Sequence, residues 1–226
     1  MPSRPTWWIT GGVVVVAAGA IGGPLGYAAL EGDAPPAATV QVQPEDAALT
    51  TDTDGSWTIA AGSSAGYRVH EVLNGADVTV AGSTDQVTGS VVVTGGDLAT
   101  ADVTVDVASI ATDSGRRDSY FRSNVMDVAA NPTATFSVTE VADLPELTGT
   151  PVTVPVAGEL TLAGVTQPVQ TEISVVRTAA GVDVSGSVPV TFGDYGVDAP
   201  ALGFVRVDDQ GAVEFLLHLT DLQRPR

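Results

Sequence analysis

The chain has 226 residues, a formal net charge of −18 and no cysteine. Because all 9 basic residues are arginine, lysine Schiff-base chemistry is excluded, and the acidic balance argues against a nucleic-acid partner. The absence of cysteine excludes disulfides, thiolate catalysis, cysteine-ligated zinc and a lipid-modified cysteine anchor.

Residues 1–30 are predicted to form a transmembrane anchor. No charged residue lies between Arg4 and Glu31, and the apolar run extends from Trp7 to Leu30. A helix from Trp7 to Tyr27 is roughly 30 Å long, which matches the core of a bilayer, and aromatic residues stand at both ends. With Arg4 before the segment, the positive-inside rule places the N-terminus in the cytoplasm and the remaining chain outside the cell membrane.

The same segment also fits a secretory signal peptide that is cleaved near residues 26–28, and this alternative likewise predicts export. The spacings of Gly19 with Gly23 and of Gly22 with Gly26 are compatible with a homodimer of packed helices. Residues 31–54 are rich in proline and acidic residues and poor in large apolar ones, so they are predicted to form an extended, disordered linker.

Residues 55–222 are predicted to form one all-β domain, followed by a short tail at 223–226. Apolar and polar side chains alternate with the period of half-buried antiparallel strands. The apolar faces comprise Val103, Val105 and Val107; Phe136 and Val138; Val152, Val154, Val156, Gly158, Leu160 and Leu162; and Val213, Phe215, Leu217 and Leu219. About eight or nine strands follow from this pattern, enough to close an antiparallel barrel with either a ligand cavity or a filled core.

Turn signals separate these predicted strands. They lie at Asn74-Gly75, Gly95-Gly96-Asp97, Ala180-Gly181 and Asp209-Gln210-Gly211. The alternation stops between Asp113 and Val128, where Phe121, Val125 and Val128 have the spacing of one helical face. A short helical insert, capped by Asp113 or Ser114, is therefore expected over one end of the barrel.

Two long motifs resemble the YceI-like lipid-binding family. The first comprises Ser109-Ile110-x-Thr112, Arg117-Asp118, Phe121-Arg122-Ser123, Met126-Asp127-Val128 and Pro132-Thr133-x-Thr135-Phe136. The second is Gly158-Glu159-Leu160-Thr161-Leu162-x-Gly164-Val165-Thr166-x-Pro168-Val169. Looser matches are Trp57-Thr58-Ile59, Tyr67-x-Val69 and Phe192-x-x-Tyr195-Gly196, so that the resemblance covers residues 56–219.

This resemblance implies an exported, lipocalin-like barrel that holds a polyisoprenoid chain in its lumen. The chain departs from the family pattern at Ala60, where the family often has Asp, and at Gly62 and Glu71, where it often has His. We therefore do not expect this chain to contact a lipid head group through histidines at these positions.

Candidate ligand-binding residues of the lumen or its lid are Tyr67, Phe121, Val125, Met126, Phe136, Phe192 and Phe215. Arg116, Arg117 and Arg122 form a local positive cluster in an acidic chain, and arginine pairs bidentately with phosphate. They are therefore candidates to hold the head group. Alternatively, they pair with Asp113, Asp118 and Asp127 and pin the insert in place.

Neither a catalytic nor a metal site is predicted. Residues 62–66 match the G-x-S-x-G pattern of hydrolases, but a strand pattern follows where that motif requires a helix. His70 and His218 are the only histidines and are not expected to bind metal. Together with the family resemblance, which implies the isoprenoid ligand, the sequence predicts a non-enzymatic, membrane-anchored binding protein for a long isoprenoid, of quinone or prenyl-phosphate type, with no other cofactor. The alternative is an envelope interaction module whose barrel core is filled.

Overall fold

The computed structural model of the chain describes residues 33–49, 53–73, 75–203 and 205–222. The predicted anchor at 1–30, with the glycine spacings that suggested a homodimer, and the tail at 223–226 lie outside these ranges. Within them, no helix combines the length and the apolar composition that crossing a membrane would require.

Antiparallel strands account for most of the described domain. They are β1 (Gly55–Ile59), β2 (Ser64–Leu73), β3 (Ala76–Thr84), β4 (Val87–Thr94), β5 (Asp97–Asp106), β6 (Thr133–Val138), β7 (Ala142–Asp143), β8 (Val152–Leu162), β9 (Val165–Arg177), β10 (Val182–Thr191), β11 (Ala201–Leu202) and β12 (Val205–Asp221).

Eight of these strands close into a barrel in the order β1-β4-β5-β6-β8-β9-β10-β12. The ring closes because the C-terminal part of β12 pairs with β1, while its N-terminal part pairs with β2. The β2–β3 hairpin extends the wall beyond β1 and β4. The predicted eight-stranded antiparallel barrel with one short helical insert is therefore confirmed.

The two ends of the barrel differ in what covers them. The base end carries the β4–β5 turn, the loop before β8 and the β9–β10 turn. The lid end carries the β2–β3 connection, the insert (residues 113–128), the β8–β9 turn and the segment between β10 and β12. The insert contains one helix, α1 (Gly115–Tyr120), followed by a wider π-helical turn at Phe121–Val125.

One predicted turn is wrong. The signal at Asp209-Gln210-Gly211 lies inside β12, where the register with β2 shifts between Val207 and Gly211. A glycine in a polar run is typical of a β-bulge as well as of a turn, and the bulge lets one long strand serve the whole height of the barrel. The signals around Gly95 and Ala180 do lie between strands, and Gly75 lies between β2 and β3.

Residues 33–49, part of the segment predicted to be a linker, lie along the outer surface of the barrel. We call residues 33–49 the strap. At its N-terminal end, the backbone N–H of Thr79 donates to the Asp33 carboxylate (2.8 Å). Farther along, Val40 is buried, and its N–H donates to the Ser185 hydroxyl (3.1 Å). The strap has no helix or strand of its own, and barrel groups bond to the backbone of Ala34, Pro35, Val40 and Gln43.

Candidate functional site

The barrel lumen contains two adjoining cavities. The base cavity has a volume of about 140 Å³ and the lid cavity a volume of about 170 Å³. Both are lined by Ala65, Val105, Ala134, Leu162 and Val213, which form their shared wall. Because these cavities occupy the lumen, the core of the barrel is not filled by its own side chains.

The base cavity is lined by apolar residues and a few threonines, and no charged side chain of the described residues reaches it. The alternating face of β12 contributes Val213, Phe215, Leu217 and Leu219, which confirms the inward orientation that the sequence pattern predicts. At the base end, Trp57 is buried and its indole N–H donates to the Thr53 carbonyl (3.0 Å). This cavity therefore suits a hydrocarbon chain.

The insert forms one wall of the lid cavity. Its residues Phe121, Val125 and Met126 all line that cavity, and the ring of Phe121 stacks on Tyr67 with 4.9 Å between centroids. In the π-helical turn, the Met126 N–H donates to the Phe121 carbonyl (3.0 Å). The wider turn brings the consecutive residues Val125 and Met126 to the same cavity.

Three charged residues, Glu71, Arg117 and Asp198, line the lid cavity, in contrast to the base cavity. Arg117 lies 2.6 Å from the Asp113 carboxylate and 3.6 Å from that of Glu71, which is buried. It thereby connects the start of the insert to β2. This arrangement agrees with the alternative in which Arg117 pins the insert.

The other two arginines of the cluster lie elsewhere. Arg116 is exposed, Arg122 is half-buried, and neither lines the base cavity or the lid cavity. Within the described ranges, neither arginine forms an ion pair with Asp118 or Asp127. Instead, the buried Asp118 accepts hydrogen bonds from the N–H (2.9 Å) and the hydroxyl (2.7 Å) of Thr112.

Burial raises the pKa of Tyr67 from 10.0 to about 12, although the guanidinium of Arg117 opposes the shift. The carboxyl groups of Asp118, Glu71 and Asp113 add to the rise. The Tyr67 phenol therefore remains a neutral hydrogen-bonding group at the charged end of the lumen. Burial, together with Asp194, also raises the pKa of Tyr195.

All seven predicted lumen or lid residues line a cavity. Tyr67, Phe121, Val125, Met126 and Phe192 line the lid cavity, and Phe136 and Phe215 line the base cavity. The sequence prediction omitted Trp57, Leu144 and Leu147 at the base end and Glu71 at the lid end. The alternation in β1 provides a signal for Trp57, whereas Leu144 and Leu147 come from an irregular loop.

Four of the predicted aromatic residues lie against glycines of the barrel wall, a feature that the sequence prediction missed. A Cβ added to the glycine would approach Tyr67 to 2.8 Å at Gly82, Phe136 to 2.5 Å at Gly158, Phe215 to 2.6 Å at Gly186 and Phe192 to 2.8 Å at Gly211. Each ring thus occupies space that a side chain would otherwise take. Strand-interior glycines near aromatic residues are the sequence signal for this arrangement.

The serine and histidine residues considered as possible catalytic or metal sites make other contacts. Ser64, the central serine of the G-x-S-x-G match, begins strand β2 and not a helix. Nδ1 of His218 lies 2.7 Å from the Asp183 carboxylate, and Nδ1 of His70 lies 3.2 Å from the Thr79 hydroxyl. In the part of the chain that the structure describes, no cluster of potential metal ligands is found.

Comparisons with known proteins agree with this geometry. The sequence profile of the YceI-like domain family matches residues 57–219, more than half of the chain. A polyisoprenoid-binding domain from Saccharophagus degradans, implicated in plant cell wall breakdown, has a TM-score of 0.58 at 19% identity, covering 73% of this chain and 98% of its own. Burkholderia cenocepacia BcnA has a TM-score of 0.54 at 21% identity, covering 67% and 94%. No curated protein sequence matches the chain.

Proposed function

Because the chain belongs to the YceI-like domain family, we propose that it binds a long isoprenoid lipid in the lumen of its barrel. The solved structure from Saccharophagus degradans, which shares the fold, is described as a polyisoprenoid-binding domain. The proposed role is binding and not catalysis.

The division of the lumen into two unlike cavities carries this proposal. One end offers an uncharged apolar cavity, and the adjoining end offers Glu71, Arg117 and Asp198 among apolar neighbours. An amphipathic lipid has the same division, a long hydrocarbon chain and one polar head. The chain is expected in the base cavity and the head in the lid cavity.

Apolar burial alone does not select the ligand. Transfer of each CH₂ from water contributes about 0.8 kcal/mol, but a bilayer already shields an isoprenoid chain from water. The apolar contribution therefore cancels to first order between membrane and barrel. Selectivity has to arise from the shape of the lumen and from the polar groups around the head.

The charges of the lid cavity favour an uncharged head group. Glu71 and Asp198 supply two carboxyl groups to its lining, and the guanidinium of Arg117 already lies against the Asp113 carboxylate. A phosphate would add negative charge beside these acids, whereas a quinone would accept hydrogen bonds from neutral donors such as Tyr67. A quinone-type isoprenoid is therefore the proposed ligand, ahead of a prenyl phosphate.

The proposed location is the outer side of the cell membrane. The apolar run from Trp7 to Leu30 would anchor the chain with its N-terminus in the cytoplasm, and secretion after cleavage is the alternative. An anchored barrel can exchange a lipid with the bilayer beside it.

Displacement of the apolar fluorophore N-phenyl-1-naphthylamine from the purified full chain tests the proposal. A long prenyl quinone should displace the fluorophore at about a tenfold lower concentration than a straight-chain alcohol of equal carbon number, a difference of about 1.4 kcal/mol. Val213→Trp fills the shared wall of the cavities and should abolish binding of the fluorophore. Ser187→Trp, at an exposed position of β10, should not. Equal displacement by both lipids, or equal binding by both variants, would contradict lumen binding of an isoprenoid.

A further inference from the structure

The strap fixes where the N-terminal segment leaves the barrel. Two hydrogen bonds join the start of the strap to Thr79. The Asp33 carboxylate accepts from the Thr79 N–H, and the Ala34 N–H donates to the Thr79 carbonyl (2.9 Å). The guanidinium of Arg68 donates to the Pro35 carbonyl (2.7 Å) and is itself held by Glu214 (2.7 Å). These contacts attach the start of the strap to β2 and β3, the hairpin that extends the wall at the lid end.

The start of the strap also borders the insert. A cleft of about 290 Å³ is lined on one side by Asp33, Ala34 and Pro35 and on the other by Thr112, Asp113 and Arg117. The other end of the strap lies at the base end, where the Gln43 N–H donates to the Gly149 carbonyl (2.7 Å). The strap therefore runs from the base to the lid and ends beside the insert.

Little chain separates this attachment from the predicted anchor. The apolar run ends at Leu30, so the connection to Asp33 spans at most about 11 Å when fully extended. A flexible linker over residues 31–54 would instead have an r.m.s. length of roughly 25–30 Å. The attached strap removes most of that freedom, so the orientation of the barrel relative to its anchor is restricted.

The outward surface of the insert carries charges of both signs. Arg116 and Arg122 line neither lumen cavity, and Asp113 and Asp127, at the two ends of the insert, are exposed. The lid end carries further exposed carboxylates at Asp77, Asp194 and Asp198, so charge does not select an anionic surface for this end of the barrel.

From these observations we infer that the strap holds the lid end of the barrel toward the bilayer in which the N-terminal segment is anchored. The lid cavity then opens toward the membrane, and a lipid enters it without crossing bulk water. The inference rests on the anchoring part of the proposed function.

The absence of native cysteine allows site-specific labelling of the full chain. Ser123→Cys places a bimane fluorophore on an exposed position of the insert, and Val141→Cys places it at the base end, where Val141 is 65% exposed. Each protein is reconstituted into phosphatidylcholine vesicles that carry a head-group nitroxide quencher. Quenching at position 123 should exceed quenching at position 141 several-fold. Equal quenching, stronger quenching at position 141, or failure of the chain to stay with the vesicles would overturn the inference.

A matched pair of strap variants tests the cause of the orientation. Val40→Asp introduces a charge at the buried contact, whereas Val42→Asp alters the same strap at a position that is 68% exposed. Val40→Asp should remove most of the difference in quenching between positions 123 and 141, and Val42→Asp should preserve it. Ser185→Ala, which removes only the hydroxyl that accepts from Val40, should reduce the difference without unfolding the barrel.

An unchanged difference in both Val40→Asp and Ser185→Ala would show that the strap does not orient the barrel. Quenching requires no bound ligand, so orientation is measured separately from lipid binding. A barrel that binds prenyl quinone but lacks the difference contradicts only this inference. A barrel that shows the difference but binds no prenyl quinone contradicts only the proposed ligand.

Discussion

Phe215 of β12 lies directly over Gly186 of β10, with its Cζ atom 2.6 Å from the place that a Cβ on Gly186 would occupy. The two residues are register partners, so their side-chain positions share one face of the sheet. The ring lies across the wall because its partner has no side chain. This relationship contributes to keeping space in the base cavity, which Phe215 lines.

Gly186→Ala should therefore narrow the base cavity. The added methyl group displaces the Phe215 ring, and the lumen is the side on which space is available, at a cost of about 1–3 kcal/mol in folding stability. Binding of N-phenyl-1-naphthylamine should fall several-fold, as measured by its fluorescence.

Gly193→Ala is the matched control, since a Cβ at Gly193 meets no atom within 4 Å. It should leave fluorophore binding unchanged. Equal loss of binding in the two variants would contradict the role given to Gly186.

Arg117→Ala should lower the free energy of unfolding by about 2–3 kcal/mol, because the buried Glu71 and the insert residue Asp113 lose a charged partner. The value is below that of a fully buried pair because the Arg117 side chain is 20% exposed. Urea denaturation measures the difference. Arg116→Ala, at the neighbouring exposed position, should change stability by less than about 0.5 kcal/mol. Similar stability of both variants would exclude Arg117 as the residue that pins the insert.

Tyr67→Phe should weaken the dependence of stability on alkaline pH. The pKa of Tyr67 is raised from 10.0 to about 12 in the folded barrel, so its contribution is complete below pH 10 and is lost as pH rises toward 12. The variant retains the stacking on Phe121 but does not ionise. Unfolding free energies measured across this range should fall more steeply for the unaltered chain than for Tyr67→Phe, and parallel curves would refute the prediction.

Trp57 should report a hydrocarbon chain in the base cavity, which it lines. In the full chain with Trp7→Phe and Trp8→Phe, Trp57 is the remaining tryptophan. A long-chain alcohol with a nitroxide near its terminal methyl should quench Trp57 more strongly than one with a nitroxide beside its hydroxyl. The reverse order would place the chain end at the lid and contradict the proposed direction of the ligand.

The sequence predicts the barrel wall well because alternation is a local property. Val213, Phe215, Leu217 and Leu219 follow the period of two and line the base cavity as predicted. The signal at Gly211 predicts a turn where the strand has a bulge, because glycine is common in both and only the pairing partners of β12 distinguish them.

The strap and the positions of the arginines depend on contacts between distant parts of the chain. Composition predicts that residues 33–49 are extended, but it does not reveal that Val40 meets Ser185 of β10. The sequence shows the arginine cluster. It does not show that Arg117 lies beside Glu71 of β2 while Arg116 is exposed. Close approaches such as that of Gly186 to Phe215 depend on register in the same way.

Mass spectrometry of organic extracts from the full chain, purified from membranes that contain prenyl quinones and phospholipids, tests whether an isoprenoid occupies the lumen. We expect one prenyl quinone per barrel, enriched far above its share of the membrane lipid, and its loss in Val213→Trp. A barrel that carries no lipid, or only phospholipids in the proportions of the membrane, would contradict isoprenoid binding in the lumen.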